Sequence, residues 1–153
     1  MGYILGTNSL ANLVGICPPL AGAVSEIINY AQYDWSVFSG VRSMEEQRRL
    51  VARGVSKTFN SYHLWGLAVD LVPYIDGTNI WESPERHIQK RIDETFAETA
   101  KLMREYIGDK QPMFQGHKVV VDWGFDLWGW DKPHFQMTGF KPMYDIRNMY
   151  ELA

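Results

Sequence analysis

Apolar positions along this chain follow two spacings, one helical and one extended. Behind Pro19, residues Leu20, Val24, Ile27, Ile28 and Ala31 recur three or four apart, which predicts a helix with one core-facing side. A longer stripe of Ile88, Ile92, Phe96, Thr99, Met103 and Tyr106 predicts the main helix, with Ser83 as N-cap, Pro84 at its first position and Gly108 at its end. Ser43 followed three residues on by Glu46 forms a capping box for a helix over Met44–Arg53, closed by Gly54, and Asn8 with Ser9 predicts caps for a short helix ending near Cys17. The stretches "DWSVFSG", "LAVDLVPYI", "KVVVDW" and "PHFQM" instead read as strands, the second an interior one stopped by "DGTN". Helices come mostly early and the strands are dispersed. The expectation is an α+β fold with a small, mainly antiparallel sheet flanked by helices. The tail after Gly139 carries no pattern.

Composition narrows the function classes. At 153 residues the chain suits a single domain, 1–153, and its 46% hydrophobic and 22% charged content is that of a globular protein. A net charge of −3 and a pI near 5.8 argue against an electrostatic grip on nucleic acid or an anionic membrane. The first basic residue is Arg42, so a positively charged leader is not expected, and no apolar run reaches the ~20 residues that span a bilayer. Synthesis in the cytoplasm without a signal peptide is the expectation. Cys17 is the one cysteine, which excludes an intramolecular disulfide and reads as a small buried hydrophobe.

The candidate chemistry begins in "NSYHLWGLAVDL", where His63 and Asp70 flank a glycine. On a continuous helix they would stand about 10 Å apart along the axis, too far to share a metal. On one straight strand their odd separation would send them to opposite faces. If they act together the chain bends between them, and Gly66 is the residue that permits it, placing His63 in a loop and Asp70 on the following strand. Asn60 and Ser61 suit the turn before.

A histidine and a carboxylate make a partial site, because catalytic zinc takes three protein ligands and leaves a fourth position to water. Of the other three histidines, His87 among charges and His117 in a polar loop read as solvated. His134 follows Pro133 and opens a strand, with Asp131 three residues before it. A carboxylate beside a metal-activated water is what hydrolysis requires. Taken alone, a buried histidine bonded to an aspartate accounts for His63 and Asp70 better than a metal does. An ordinary surface turn accounts for Asp131 and His134 as well as a function does. The combined pattern S-x-H-x-x-G-x-A-x-D with D-x-P-H is far more specific.

"SYHLWGLAVD" and "DKPHFQ" resemble the VanY-like zinc D-Ala-D-Ala peptidases, especially the branch of phage L-alanyl-D-glutamate endopeptidases, endolysins that cut peptidoglycan stem peptides. The similarity extends through "SGVRSMEEQ", "GVSKTFNSYH" and "AVDLVPYIDG", from about Asn8 to Gln136. It implies a hedgehog/D-Ala-D-Ala-peptidase-like fold with zinc (Zn2+) on His63, Asp70 and His134. By the same resemblance, Asp131 is the general base, Arg42 steadies the scissile carbonyl, and Ser61 lies near the substrate backbone. Arg42 also reads from its surroundings as a lone cation at a strand-to-helix turn, with no acidic residue before Glu45, available to an external oxygen. The implied activity is cleavage of the L-Ala–D-Glu amide by a monomer with no separate wall-binding domain, acting on the wall in the periplasm after release. A D,D- or L,D-carboxypeptidase and a non-catalytic zinc-containing binding module are the alternatives. "VDWGFDLWGW" holds only Asp122 and Asp126 as acidic groups, so calcium is not expected. Its Trp123, Trp128 and Trp130 suit either a cleft rim or the core.

Overall fold

The structure is a computed structural model that describes residues 2–142 and residue 144. Helix α1 (Thr7–Asn12) is followed by α2 (Pro18–Ile27), with prolines in its first turn, and a 3-10 turn over Ile28–Tyr30. Then come β1 (Trp35–Ser39), α3 (Met44–Ala52), a 3-10 turn over Tyr62–Trp65, β2 (Ala68–Ile75), β3 (Thr78–Asn79) and the long α4 (Arg86–Lys110). The chain continues through β4 (Met113–Phe114), β5 (His117–Lys118), β6 (Val121–Trp123), α5 (Gly124–Trp128) and β7 (His134–Met137). As the sequence predicts, the fold is α+β. The main sheet runs β1-β2-β7-β6, antiparallel throughout, with β3 also paired to β2. No helix among the described residues is long and apolar enough to cross a membrane.

Register divides the sheet into two chemically distinct faces. Side chains alternate along a strand, and residues directly opposite on antiparallel neighbours share a face. Val69 pairs with Phe135, and these two join Leu71 and Met137 in the core with Leu20, Val24, Ala100 and Met103 from α2 and α4. All five predicted apolar positions of α2 and its extension, Leu20 to Ala31, are buried. Each such large side chain contributes ~1.5–3 kcal/mol by leaving water. One residue along each strand, Asp70 opposes His134 on the other face. The apolar face thus anchors two strands whose intervening residues carry the polar groups.

Several boundaries differ from the sequence expectation. α1 begins behind Gly6 and ends at Asn12, because Ser9 is a tertiary partner rather than a cap: its Oγ accepts the Val37 N–H of β1 at 3.0 Å. α4 begins at Arg86 with Glu85 as N-cap, since Ser83 is spent in a preceding turn, its Oγ accepting from Glu85 N and its own N–H donating to Gln89 Oε1. Gly108 lies within α4, which ends at Lys110 and is capped by Gln111 in the left-handed region (φ 46°). "KVVVDW" is split: Gln115 and Gly116 (φ 50° and 79°) reverse the chain into a hairpin that takes Lys118, leaving Val121–Trp123 to pair with β7. The capping Ser43, accepting from Glu46 N, and the buried Cys17 agree with expectation. Of the tail after Gly139, residues 143 and 145–153 lie outside the described residues.

Candidate metal centre and active site

The bend that the sequence requires between His63 and Asp70 is built by three residues. Ser61 caps the 3-10 turn, its Oγ accepting from His63 N at 3.2 Å. Gly66 ends the turn in the left-handed conformation (φ 75°), which a side chain would strain. Leu67 N–H then returns to the Tyr62 carbonyl, and the chain enters β2 with Asp70 on the polar face. Arg42 N–H donates to the His63 carbonyl at 3.1 Å, locking the turn against the start of the α3 segment. His134, opposite Asp70 on β7, completes a cluster in which one ligand atom from each of the three residues lies within 4.8 Å of the others. His63 Nε2 is 3.3 Å and His134 Nδ1 3.6 Å from Asp70 Oδ1.

The donor chemistry fits a divalent metal. His63 Nδ1 lies 2.9 Å from the Gly40 carbonyl, which only accepts, so this nitrogen carries the proton. His134 Nε2 likewise donates to Gln136 Oε1 at 2.9 Å, while Gln136 Nε2 donates to Thr138 Oγ1. In its neutral form each ring therefore turns a lone pair toward the Asp70 carboxylate. Two lone pairs and an anion facing one another are unfavourable unless a cation sits among them, and remote N–H donation to a carbonyl is how metal-binding imidazoles are oriented. Burial alone would raise the Asp70 pKa, but the positive charge and N–H donation that the His63 and His134 rings supply when protonated hold it well below the usual carboxylate range. It stays an anion.

Arg42 is not free as the sequence suggests. Its Nη2 lies 3.6 Å from Asp70 Oδ2 and its Nη1 donates to Gln47 Oε1 at 2.8 Å, because the fold brings a carboxylate that is distant in sequence to the strand-to-helix turn. Ser61 is buried, and its hydroxyl serves the His63 turn. Asp131 is half-buried, and its pKa is raised by burial and then by the Asp70 carboxylate, against the opposing pull of His134, His63 and Arg42. Gly124 holds Asp131 against His134: a Cβ there would collide with the Asp131 carbonyl and come within 3.0 Å of both residues' Cβ atoms. His87 and His117 are exposed and stand outside the cluster. Trp123 stacks on Phe135, its indole N–H donating to the Lys132 carbonyl, whereas Trp128, beside His134, and Trp130, beside Trp128, are about half exposed.

Sequence reasoning missed four groups: Gln47, the Gly40 carbonyl, Gln136 and Gly124. Gln47 left one usable signal, a polar residue spaced three from Met44 and Leu50 on the inner side of α3; it is fully buried. The Gly40 carbonyl left none, since its partner His63 comes from another element, whereas Gln136 stands two residues after His134 on the same face of β7.

A family model of phage L-alanyl-D-glutamate peptidases matches residues 1–107. The chain belongs to this family. The matched stretch of the L-alanyl-D-glutamate peptidase family includes Arg42, Gln47, His63 and Asp70 and stops before Asp131 and His134. The L-alanyl-D-glutamate peptidase of Escherichia phage T5 is 28% identical over 88 residues, which are 56% of this chain and 64% of that protein. The match thus spans just under two thirds of that relative's length. The crystal structure of the Serratia marcescens L-Ala D-Glu endopeptidase ChiX is similar over 91% of this chain and 92% of that one, at 31% identity and a TM-score of 0.70.

Proposed function

We propose that this chain is a zinc-dependent peptidase that hydrolyses the amide between L-Ala and D-Glu in peptidoglycan stem peptides. The observation that carries the reading is the convergence of His63, Asp70 and His134 ligand atoms within 4.8 Å, with His63 Nε2 and His134 Nδ1 facing the carboxylate. Family membership and the likeness to ChiX support the choice of bond. Two imidazoles and one carboxylate suit zinc as a catalytic donor set. When bound, zinc supplies Lewis acidity and lowers the pKa of a water toward ~7.

The residues around the cluster divide the remaining work. Asp131, whose raised pKa reflects burial beside an anion, accepts a proton at its carboxylate and returns it to the departing D-Glu nitrogen. Arg42 presents its guanidinium to the carbonyl oxygen as negative charge develops there, a contribution typically worth ~3–4 kcal/mol per donor. Ser61 acts through the His63 turn, which it caps.

Digestion of defined muropeptides followed by mass spectrometry tests the reading. Release of the peptide from its lactoyl-L-Ala, abolished by chelator and by Asp131→Ala, is the expected result. Loss of a single C-terminal residue would replace it with a carboxypeptidase, and cleavage that ignores chelator would overturn metal-dependent hydrolysis.

A further inference from the structure

Two arms leave the ligand cluster and meet at one contact. The first runs from Arg42 to Gln47, whose amide nitrogen donates to Ser56 Oγ at 2.8 Å and to the Thr58 carbonyl at 2.6 Å, tying the 54–60 loop to the guanidinium. The second runs from His134 to Trp128, with ring centroids 5.2 Å apart, and on to Trp130 at 6.4 Å. Lys57, between the two loop residues that Gln47 holds, places its ammonium 5.1 Å from the Trp130 ring centre. The perimeter closes there. Trp128 and Trp130 remain 48% and 51% exposed beside a buried polar cluster, an arrangement that suits a binding wall better than a core.

The charges on this perimeter are unequal. Arg42 faces Asp70, and Lys132 pairs with Asp93 at 3.4 Å. Among the described residues no carboxylate pairs with Lys57, whose ammonium instead lies over the Trp130 ring. An aromatic face orients an ammonium without neutralising it, so the charge stays available to an anion.

A substrate cut between L-Ala and D-Glu brings such an anion. Glutamate supplies the nitrogen of the scissile amide and carries two carboxyl groups, and a linear chain continues through only one of them. The other is a free carboxylate on the residue that departs. We propose that Lys57, steadied on Trp130, binds this carboxylate and is a specificity-determining residue for the D-Glu side of the cut, with Trp128 walling the path to the metal ligands. The proposal rests on the peptidase reading above.

Paired peptides separate the two. One carries D-Glu with its free carboxylate and the other the same residue as its carboxamide, and kcat/KM is measured on both with the zinc-loaded enzyme. The wild type is expected to favour the carboxylate about tenfold, the effect of one charge-assisted hydrogen bond, and less at high salt. In Lys57→Met the ratio falls toward one through loss on the carboxylate peptide, and Lys57→Arg restores it. A wild-type ratio of one, or a Lys57→Met ratio equal to the wild type's, overturns the role of Lys57 while leaving the peptidase intact. Failure of the wild type to cut either peptide at this bond removes the peptidase reading, and this proposal with it.

Discussion

Gln47 Oε1 accepts from Arg42 Nη1 at 2.8 Å, so a fully buried amide holds the guanidinium that faces Asp70. Its amide nitrogen is in turn held by Ser56 and Thr58, which leaves the glutamine one orientation. Removing Arg42 is expected to lower kcat about a hundredfold with zinc content unchanged. Gln47→Ala, acting through Arg42, should lower kcat by a smaller factor and cost ~1–3 kcal/mol of stability from stranded partners. Because the two act as one unit, the double variant should be no slower than Arg42→Ala alone. Additive losses in kcat would separate them.

Metal removal should destabilise the fold. The three proposed ligands come from a turn, β2 and β7, so a bound ion would link segments that are distant in sequence and have no equivalent site in the unfolded chain. At a hundredfold excess over Kd the linkage is ~2.7 kcal/mol, which for a chain of this size corresponds to a fall in Tm of about 5 °C or more. Calorimetry on verified metal-free protein checks it, and an unchanged Tm would refute the linkage.

Two glycine-to-alanine changes should have opposite signs. At Gly124 the new methyl meets the Asp131 carbonyl and the Cβ atoms of Asp131 and His134, so Gly124→Ala is expected to cost ~1–3 kcal/mol and to weaken metal binding. Gly22, in α2, has nothing within 4 Å of an added Cβ. Gly22→Ala should therefore stabilise by ~0.5–1 kcal/mol through helix propensity. Denaturant melts with a competitive metal titration report both.

The Cys17 thiol should be chemically silent in the native state. Burial pushes its pKa up to about 12, so at neutral pH it stays protonated and no thiolate is presented to a reagent. A thiol reagent should label it at the rate of global unfolding. Fast labelling of the folded protein would show that the α2 terminus opens locally.

What the sequence determined by itself was local. The stripe from Leu20 to Ala31, the Ser43 cap, the β2 run and the need for a bend at Gly66 are all written in spacings of a few residues, which is the range over which backbone geometry repeats. The motif around His63 and Asp70 was legible too, because its pattern is specific and local. Tertiary structure decided the rest. Register alone puts Asp70 opposite His134, and a slip of one residue would send the histidine to the core face. Arg42, read as a free cation, is shared by Gln47 and Asp70, and Ser83, read as a helix cap, is used in the turn before α4. A side chain's hydrogen-bond partner depends on which element packs opposite it, and that is set by burial of the apolar face, not by the residues beside it in the chain.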